Sequence, residues 1–290
     1  MNIVVNLNKD RGLSSQSAVT AVKKAFKVRK AGHAGTLDPL ATGVLLVCLN
    51  EATKVAGLLA DTDKEYVVTA KLGESTDTYD AEGAVTKTAD PSSVTEQRLR
   101  EALEVFTGEV DQVPPMYSAV KIAGTPLYKL ARKGIEVDRE TRRVTVHALT
   151  LVSFETPFAV FRVSCSKGTY IRTLCHDLGA FLSVGAHVTD LVRTRVGEFI
   201  LSNAATIQEL PLKAAALHTI DDALQHLPEM ILSPEQYRKA LNGNPFWTGR
   251  PLTPSPLRTE RLRLKSPEGR LLGIGRSAGD LVRVERLFNL

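Results

Sequence analysis

Apolar positions along the chain recur at two periods, and the changes of period mark the elements. After Ser14 and Ser15, the residues Val19, Val22 and Phe26 share one helical face. A helix is predicted there, with serine capping its free backbone N–H groups. Residues 44–49 form a continuous branched run, which predicts a short buried strand. Residues 66–72 are β-branched and aromatic and predict another. Ser93, Val94, Thr95 and Glu96 read as a capping box opening a helix with Leu99, Leu103 and Phe106 on one stripe. Residues 144–154 and 158–165 predict two strands joined by a short turn; in the second, Ala159, Phe161, Val163 and Cys165 alternate with a more mixed face. Residues 170–182 predict a helix with Ile171, Leu174 and Leu178 aligned. Residues 210–230 carry a helical pattern that ends near Pro228. Beyond it Pro245, Pro251, Pro254 and Pro256 break any helix. Leu262, Leu264, Leu271, Leu272, Ile274, Leu281, Val282 and Val284 then fall in short strand-like runs, with a turn at Glu268-Gly269.

Strands and helices mix here without strict βαβ alternation. That predicts an α+β fold with a mixed, largely antiparallel sheet and flanking helices. The 290 residues suggest two units. The pattern places one over residues 1–230 and a small β-rich module over 231–290. The apolar share, 43%, suits a globular chain. No apolar run approaches the ~20 residues that span a bilayer, and the N-terminus lacks a leader pattern. The expectation is a cytoplasmic protein with no membrane contact. Three cysteines, Cys48, Cys165 and Cys175, lie among apolar residues and read as reduced core positions. Neither they nor the six histidines have metal-ligand spacing, so no metal is expected.

Charge changes the picture at one end. Residues 231–290 hold 11 Lys+Arg against 5 Asp+Glu, whereas the other 230 residues hold 26 against 27. A basic module on a near-neutral body suggests a polyanionic partner. The segment 113–143 adds Lys121, Lys129, Arg132, Lys133, Arg139, Arg142 and Arg143, with Tyr117 and Tyr128 interspersed. The segment reads either as a solvated surface hairpin or as a loop that orders on RNA, for which these residue types would supply phosphate contact and stacking.

The candidate chemistry centres on a glycine-rich stretch, residues 32–43, read as a loop. A phosphate-binding P-loop needs Lys and Ser/Thr after its last glycine; here Thr36 and Leu37 follow Gly35, which excludes a nucleotide site of that kind. Asp38 is the only acid between Asp10 and Glu51. Asp before Pro is ordinarily a turn residue. Held ionised and oriented, it can be a nucleophile or general base.

The run from Gly32 through His33, Gly35, Thr36, Leu37, Asp38, Pro39, Leu40, Ala41, Thr42 and Gly43 to Leu45 resembles the signature of the TruB family, the bacterial tRNA pseudouridine-55 synthases. Asp63-Lys64-Glu65-Tyr66, residues 112–121 and residues 167–174 resemble three further motifs, in the family's order. The likeness covers most of residues 1–230. The C-terminal piece is weakly similar to a PUA-type RNA-binding domain.

The resemblance implies a pseudouridine-synthase-type fold and isomerisation of uridine 55 in the T loop of tRNA. Asp38 would be the catalytic carboxylate. Tyr66 would stack on the flipped base and help handle the proton at its C5, and Arg172 would pair with Asp38. Tyr170 and Leu191 would line the pocket, Lys9 would sit at an early basic position, and His33 would lie against the RNA. Segment 113–143 would match the RNA-gripping insertion. The reaction gains and loses no atoms overall, so no cofactor is implied, nor an obligate protein partner; a monomer suffices. The early family motif, D-K-P-x-G, is altered here to Asn8-Lys9-Asp10-Arg11-Gly12. The alternative is a tRNA-binding or tRNA-folding protein that keeps an enzyme's fold.

Overall fold

The computed structural model describes the chain except residues 123, 211, 250, 251 and 253–258. Of the helix-breaking prolines, Pro251, Pro254 and Pro256 lie outside the described residues. Fourteen elements suffice to frame the two sheets. They are β1 (Ile3–Lys9), β2 (Ala31–Ala34), β3 (Thr42–Leu49), β4 (Lys64–Leu72), β5 (Gly108–Gln112), β6 (Arg142–Glu155), β7 (Phe158–Cys165), β8 (Ala186–Val196), β9 (Leu217–Thr219), β10 (Glu229–Ile231), β11 (Phe246–Trp247), β12 (Thr259–Lys265), β13 (Leu271–Ala278) and β14 (Leu281–Leu287). The main helices are α1 (Ser15–Ala25), α2 (Glu96–Val105), α3 (Ile171–Phe181) and α4 (Pro234–Leu241).

A ten-stranded sheet runs in the order β9-β1-β3-β8-β4-β7-β6-β5, with β2 against β3 and Phe199–Ile200 against β8. Every pairing is antiparallel except β3 with β8, where Val192 faces Thr42 and Arg193 faces Gly43. The α+β reading and the largely antiparallel sheet therefore hold. On β4, alternate residues from Lys64 to Leu72 are buried, as a period of two requires. Helices α1, α2 and α3 cover the buried face; Val19, Val22, Leu99, Leu103, Leu174 and Leu178 pack with Leu45, Val68 and Phe161 in one core. The C-terminal strands form a five-stranded sheet ordered β10-β12-β13-β14-β11. Ile274 and Phe288 from it pack with Val4, Leu46 and Leu224 of the first body.

Three local readings are corrected. The helix α2 is capped by Thr95, whose hydroxyl accepts from the N–H of Arg98 at 3.3 Å. Ser93 instead closes a 3-10 turn, Pro91–Ser93, capped by Asp90. Between the two caps Val94 is extended and buried, so the chain enters the helix two residues later. The helical pattern over 210–230 does not make one helix. Leu217–Thr219 adds a strand to the edge beside β1, Ile220–Ala223 makes a single turn, and Glu229–Ile231 joins the C-terminal sheet. Backbone pairing with β1 and β12 overrides the periodicity. Finally, the glycine-rich stretch begins as a strand: His33 sits on β2 opposite Val47.

Candidate active site

The segment between β2 and β3 is held from within. Leu37, Leu40 and Ala41 point into the core. The Ser15 hydroxyl, in the first turn of α1, accepts from the Leu37 N–H and donates to the Leu37 carbonyl, both at 2.8 Å. The Gly12 N–H donates to the Pro39 carbonyl at 2.8 Å. With both neighbours fixed, Asp38 has little freedom.

Lys9 completes the clamp. It is fully buried at the end of β1, and its ammonium donates to the carbonyls of Asp10 (2.9 Å), Leu13 (2.8 Å) and Pro39 (3.3 Å). Burial lowers its pKa to about 8, against which Asp38 and Asp10 pull upward. Lys9 is thus a scaffold cation under the Asp38 turn, and the Asn8-Lys9-Asp10 sequence is accommodated by carbonyl bonds.

Arg172, in the first turn of α3, meets Asp38 through two parallel bonds: Nε to Oδ2 at 2.8 Å and an Nη2 donor to Oδ1 at 3.2 Å. The remaining donors reach the carbonyls of Thr78 and Tyr117, each at 2.8 Å, and Asp80 stands 3.5 Å away. The Arg172 side chain is 5% exposed, whereas that of Asp38 is 33% exposed. The cation is therefore the floor and the carboxylate the accessible group. A planar fork fixed by four hydrogen bonds holds the carboxylate in one orientation, which a lysine could not do.

Tyr66 lies on β4 opposite Arg193 of β8, and Val68 lies opposite Leu191. Cross-strand partners share a face, so Tyr66 and Leu191 are neighbours on it. Both are buried. Burial raises the Tyr66 phenol's pKa, opposed by the Arg193 charge. Tyr170 caps α3 and raises its own phenol by partial burial; the Gln112 side chain holds its N–H (3.0 Å) and carbonyl (3.3 Å). His33 has a buried Nδ1 without a protein partner among the described residues, and burial lowers its pKa.

Several residues of the site carried no signal in the linear pattern. Arg193 is 1% exposed and bonds the carbonyls of Val44 (2.7 Å), Thr36 (3.2 Å) and Gly35 (3.2 Å), tying both ends of the Asp38 segment to β8. Among the described residues it has no carboxylate partner; carbonyl dipoles compensate its charge instead. Asp80 is buried and accepts from the Thr78 hydroxyl at 2.6 Å. Between them Tyr79, with a positive φ of 65°, stacks on His176 at 3.9 Å. His176 lies one turn after Arg172, so α3 holds the Thr78–Asp80 turn at two points. Only the turn-forming residue types of this segment hinted at it.

The arrangement is an oriented, accessible carboxylate whose charge reaches two phenol side chains, Tyr66 and Tyr170. That suits chemistry on a planar base taken out of its stack. Comparison with known proteins agrees. The family model for the "TruB family pseudouridylate synthase (N terminal domain)" matches residues 23–171, and that for the "tRNA pseudouridylate synthase B C-terminal domain" matches residues 172–237. A tRNA pseudouridine synthase B from Aromatoleum aromaticum is 45% identical over 282 residues, covering 96% of this chain and 89% of its own. One from Haemophilus influenzae is 44% identical over 291 residues, covering 97% and 94%. Among solved structures, an H/ACA RNP bound to a substrate RNA containing 2'-deoxyuridine aligns with a TM-score of 0.75 at 25% identity, covering 99% of this chain and 85% of that one. A Cbf5-Nop10-Gar1 complex aligns with a TM-score of 0.75 at 27% identity, covering 98% and 84%. Identity of this extent, over nearly the whole length and through both family models, establishes that the chain belongs to the TruB family of pseudouridylate synthases.

Proposed function

We propose that the protein converts uridine 55 in the T loop of tRNA to pseudouridine, with Asp38 as the catalytic carboxylate. The observation that carries this reading is the paired fork of Arg172 on Asp38, buried behind and open in front. The reaction breaks the N1–C1′ bond, turns the base and rejoins it through C5. The C5 proton leaves and N1 gains one, so the balance needs no cofactor.

The target base must be extruded, at a cost of roughly a few kcal/mol. Tyr66 and Tyr170 offset this by stacking, and Leu191 packs beside them. Arg172 holds the Asp38 carboxylate in one orientation as the base enters. His33 borders the RNA, while Lys9 serves by positioning the Asp38 turn. The basic segment 113–143 grips the RNA from one side: Tyr117 reaches Arg172 through its carbonyl, and Arg132 lies over the Tyr128 ring at 5.5 Å. Residues 1–230 form the catalytic body, and the module over 231–290 adds RNA contact. No helix among the described residues is long and apolar enough to cross a membrane. We assign the protein to the cytoplasm, acting as a monomer without an obligate protein partner.

The test is tritium release from C5-labelled uridine in an unmodified tRNA transcript. The purified chain alone releases tritium, Asp38→Asn does not, and a transcript lacking the T-loop uridine gives none. Turnover by Asp38→Asn would overturn the assigned role. Turnover only after addition of partner proteins or a guide RNA would replace the self-sufficient enzyme by one resembling the ribonucleoprotein relatives.

A further inference from the structure

Five cations, Lys23, Lys24, Lys27, Arg29 and Lys30, crowd the passage from α1 to β2, and all five are exposed. Lys23 and Lys24 close the last turn of α1, where a cation favourably meets the negative end of the helix dipole. That explanation does not reach Lys27, Arg29 and Lys30, which follow the helix. Like charges this close repel one another, so local stability does not account for the cluster.

The tract carries no counter-charge of its own. Several exposed cations of the body are paired: Arg11 with Asp190 (2.9 Å), Arg100 with Glu96 (2.6 Å), Arg143 with Asp111 (3.0 Å) and Arg162 with Glu65 (3.0 Å). None of the tract's five forms an ion pair among the described residues, a lack shared by the exposed Lys121, Lys129, Arg132, Lys133 and Arg142 of segment 113–143. Glu51 feels the charge of Lys30, but its carboxylate is engaged by Lys54 at 2.7 Å and by the Asn289 N–H at 2.8 Å.

The tract also has a fixed relation to the Asp38 turn. Ser15 ties the start of α1 to Leu37, beside Asp38. The helix then runs 11 residues, which at ~1.5 Å per residue puts the tract roughly 16 Å from that turn. From Lys30 the chain returns along β2 to His33. An RNA with one base at Asp38 has backbone phosphates at that distance, a few nucleotides away.

We propose that Lys23, Lys24, Lys27, Arg29 and Lys30 form a phosphate-binding surface for the substrate RNA backbone flanking the target uridine, separate from the 113–143 segment. The proposal rests on the RNA-modifying reading above. Its contacts carry no base sequence; they set affinity and register on the backbone.

The experiment compares Lys23→Gln/Lys27→Gln with the net-charge control Arg98→Gln/Arg100→Gln on α2. Binding to a tRNA transcript is measured across a salt series, and steady-state tritium release is measured at low salt. Each phosphate contact contributes about 0.7–0.9 to the slope of log affinity against log salt. Lys23→Gln/Lys27→Gln is expected to flatten that slope by about 1.4–1.8 and raise KM by on the order of tenfold, with kcat unchanged. The control keeps the normal slope and KM. An unaltered slope in Lys23→Gln/Lys27→Gln, or an equal change in both variants, overturns the tract as a specific surface. Turnover by the unsubstituted protein is scored separately: its absence would remove the enzymatic reading, while the salt slopes still decide the binding surface.

Discussion

At the scale of single residues, the site depends on which charges are partnered and which are merely buried. Arg172 illustrates the first case: each donor group has an oxygen to meet, so its burial holds Asp38 rather than destabilising the fold. Asp177, five positions later on the same helix, illustrates the second. Burial pushes its carboxyl up to about 6, and no cation pairs with it among the described residues. A folded-state pKa above the unfolded value means that the native state binds the proton more tightly. Its contribution to stability is then complete below the unfolded value of about 3.8 and is lost as pH rises through about 6. Asp177→Asn is therefore expected to gain about 1–2 kcal/mol at pH 8, after allowance for solvent screening, and nothing near pH 3.5. Urea unfolding at the two pH values checks this; the same gain at both would show that charge burial is not the cause.

At the scale of elements, the junction of β3 with β8 positions the Asp38 turn, and Gly43 permits it. A Cβ on Gly43 would lie 2.3 Å from the Arg193 carbonyl oxygen, and its φ of +98° disfavours any side chain. Neither atom can move without separating the one parallel pair of the large sheet. Gly12 has a φ of +81° but open space around it. Gly43→Ala should cost roughly 3–5 kcal/mol, whereas Gly12→Ala should cost about 1 kcal/mol. Equal midpoint shifts in denaturant would mean that backbone conformation, rather than the contact with β8, sets the requirement. Gly43→Ala should also slow turnover, since Arg193 bonds the carbonyls of Gly35, Thr36 and Val44 on both sides of Asp38.

At the scale of the whole molecule, the two sheets share a core. Ile274 and Phe288 insert among Val4, Leu46 and Leu224, Lys54 donates to the Leu287 carbonyl at 2.8 Å, and Arg263 bonds Asp221 at 2.7 Å. Such contacts couple the C-terminal sheet to the body that carries Asp38. Phe288→Ala is expected to destabilise the molecule by about 2–4 kcal/mol while unfolding remains a single transition. A separate early transition for the C-terminal sheet would indicate that the shared core does not couple them.

Local pattern by itself determined most of the elements. The spacing of Val19 and Val22, the branched run into β3 and the alternation along β7 each name one conformation, because one face or both must leave water. The short motif around Asp38 was legible too, since its residues are contiguous. What needed the tertiary structure was every feature made by residues distant in sequence. Residues 210–230 read as helical because periodicity ignores the open edges of β1 and β12, which capture Leu217–Thr219 and Glu229–Ile231 as strands. Lys9 read only as an early basic position, because sequence shows a charge but not the three carbonyls that bury it. Arg193, Asp80 and the Tyr79–His176 stack were silent for the same reason: a partner group about 90 to 160 residues away gives each its role. Composition and spacing report which groups the chain owns, and only the packing of strands against one another decides which of those groups meet.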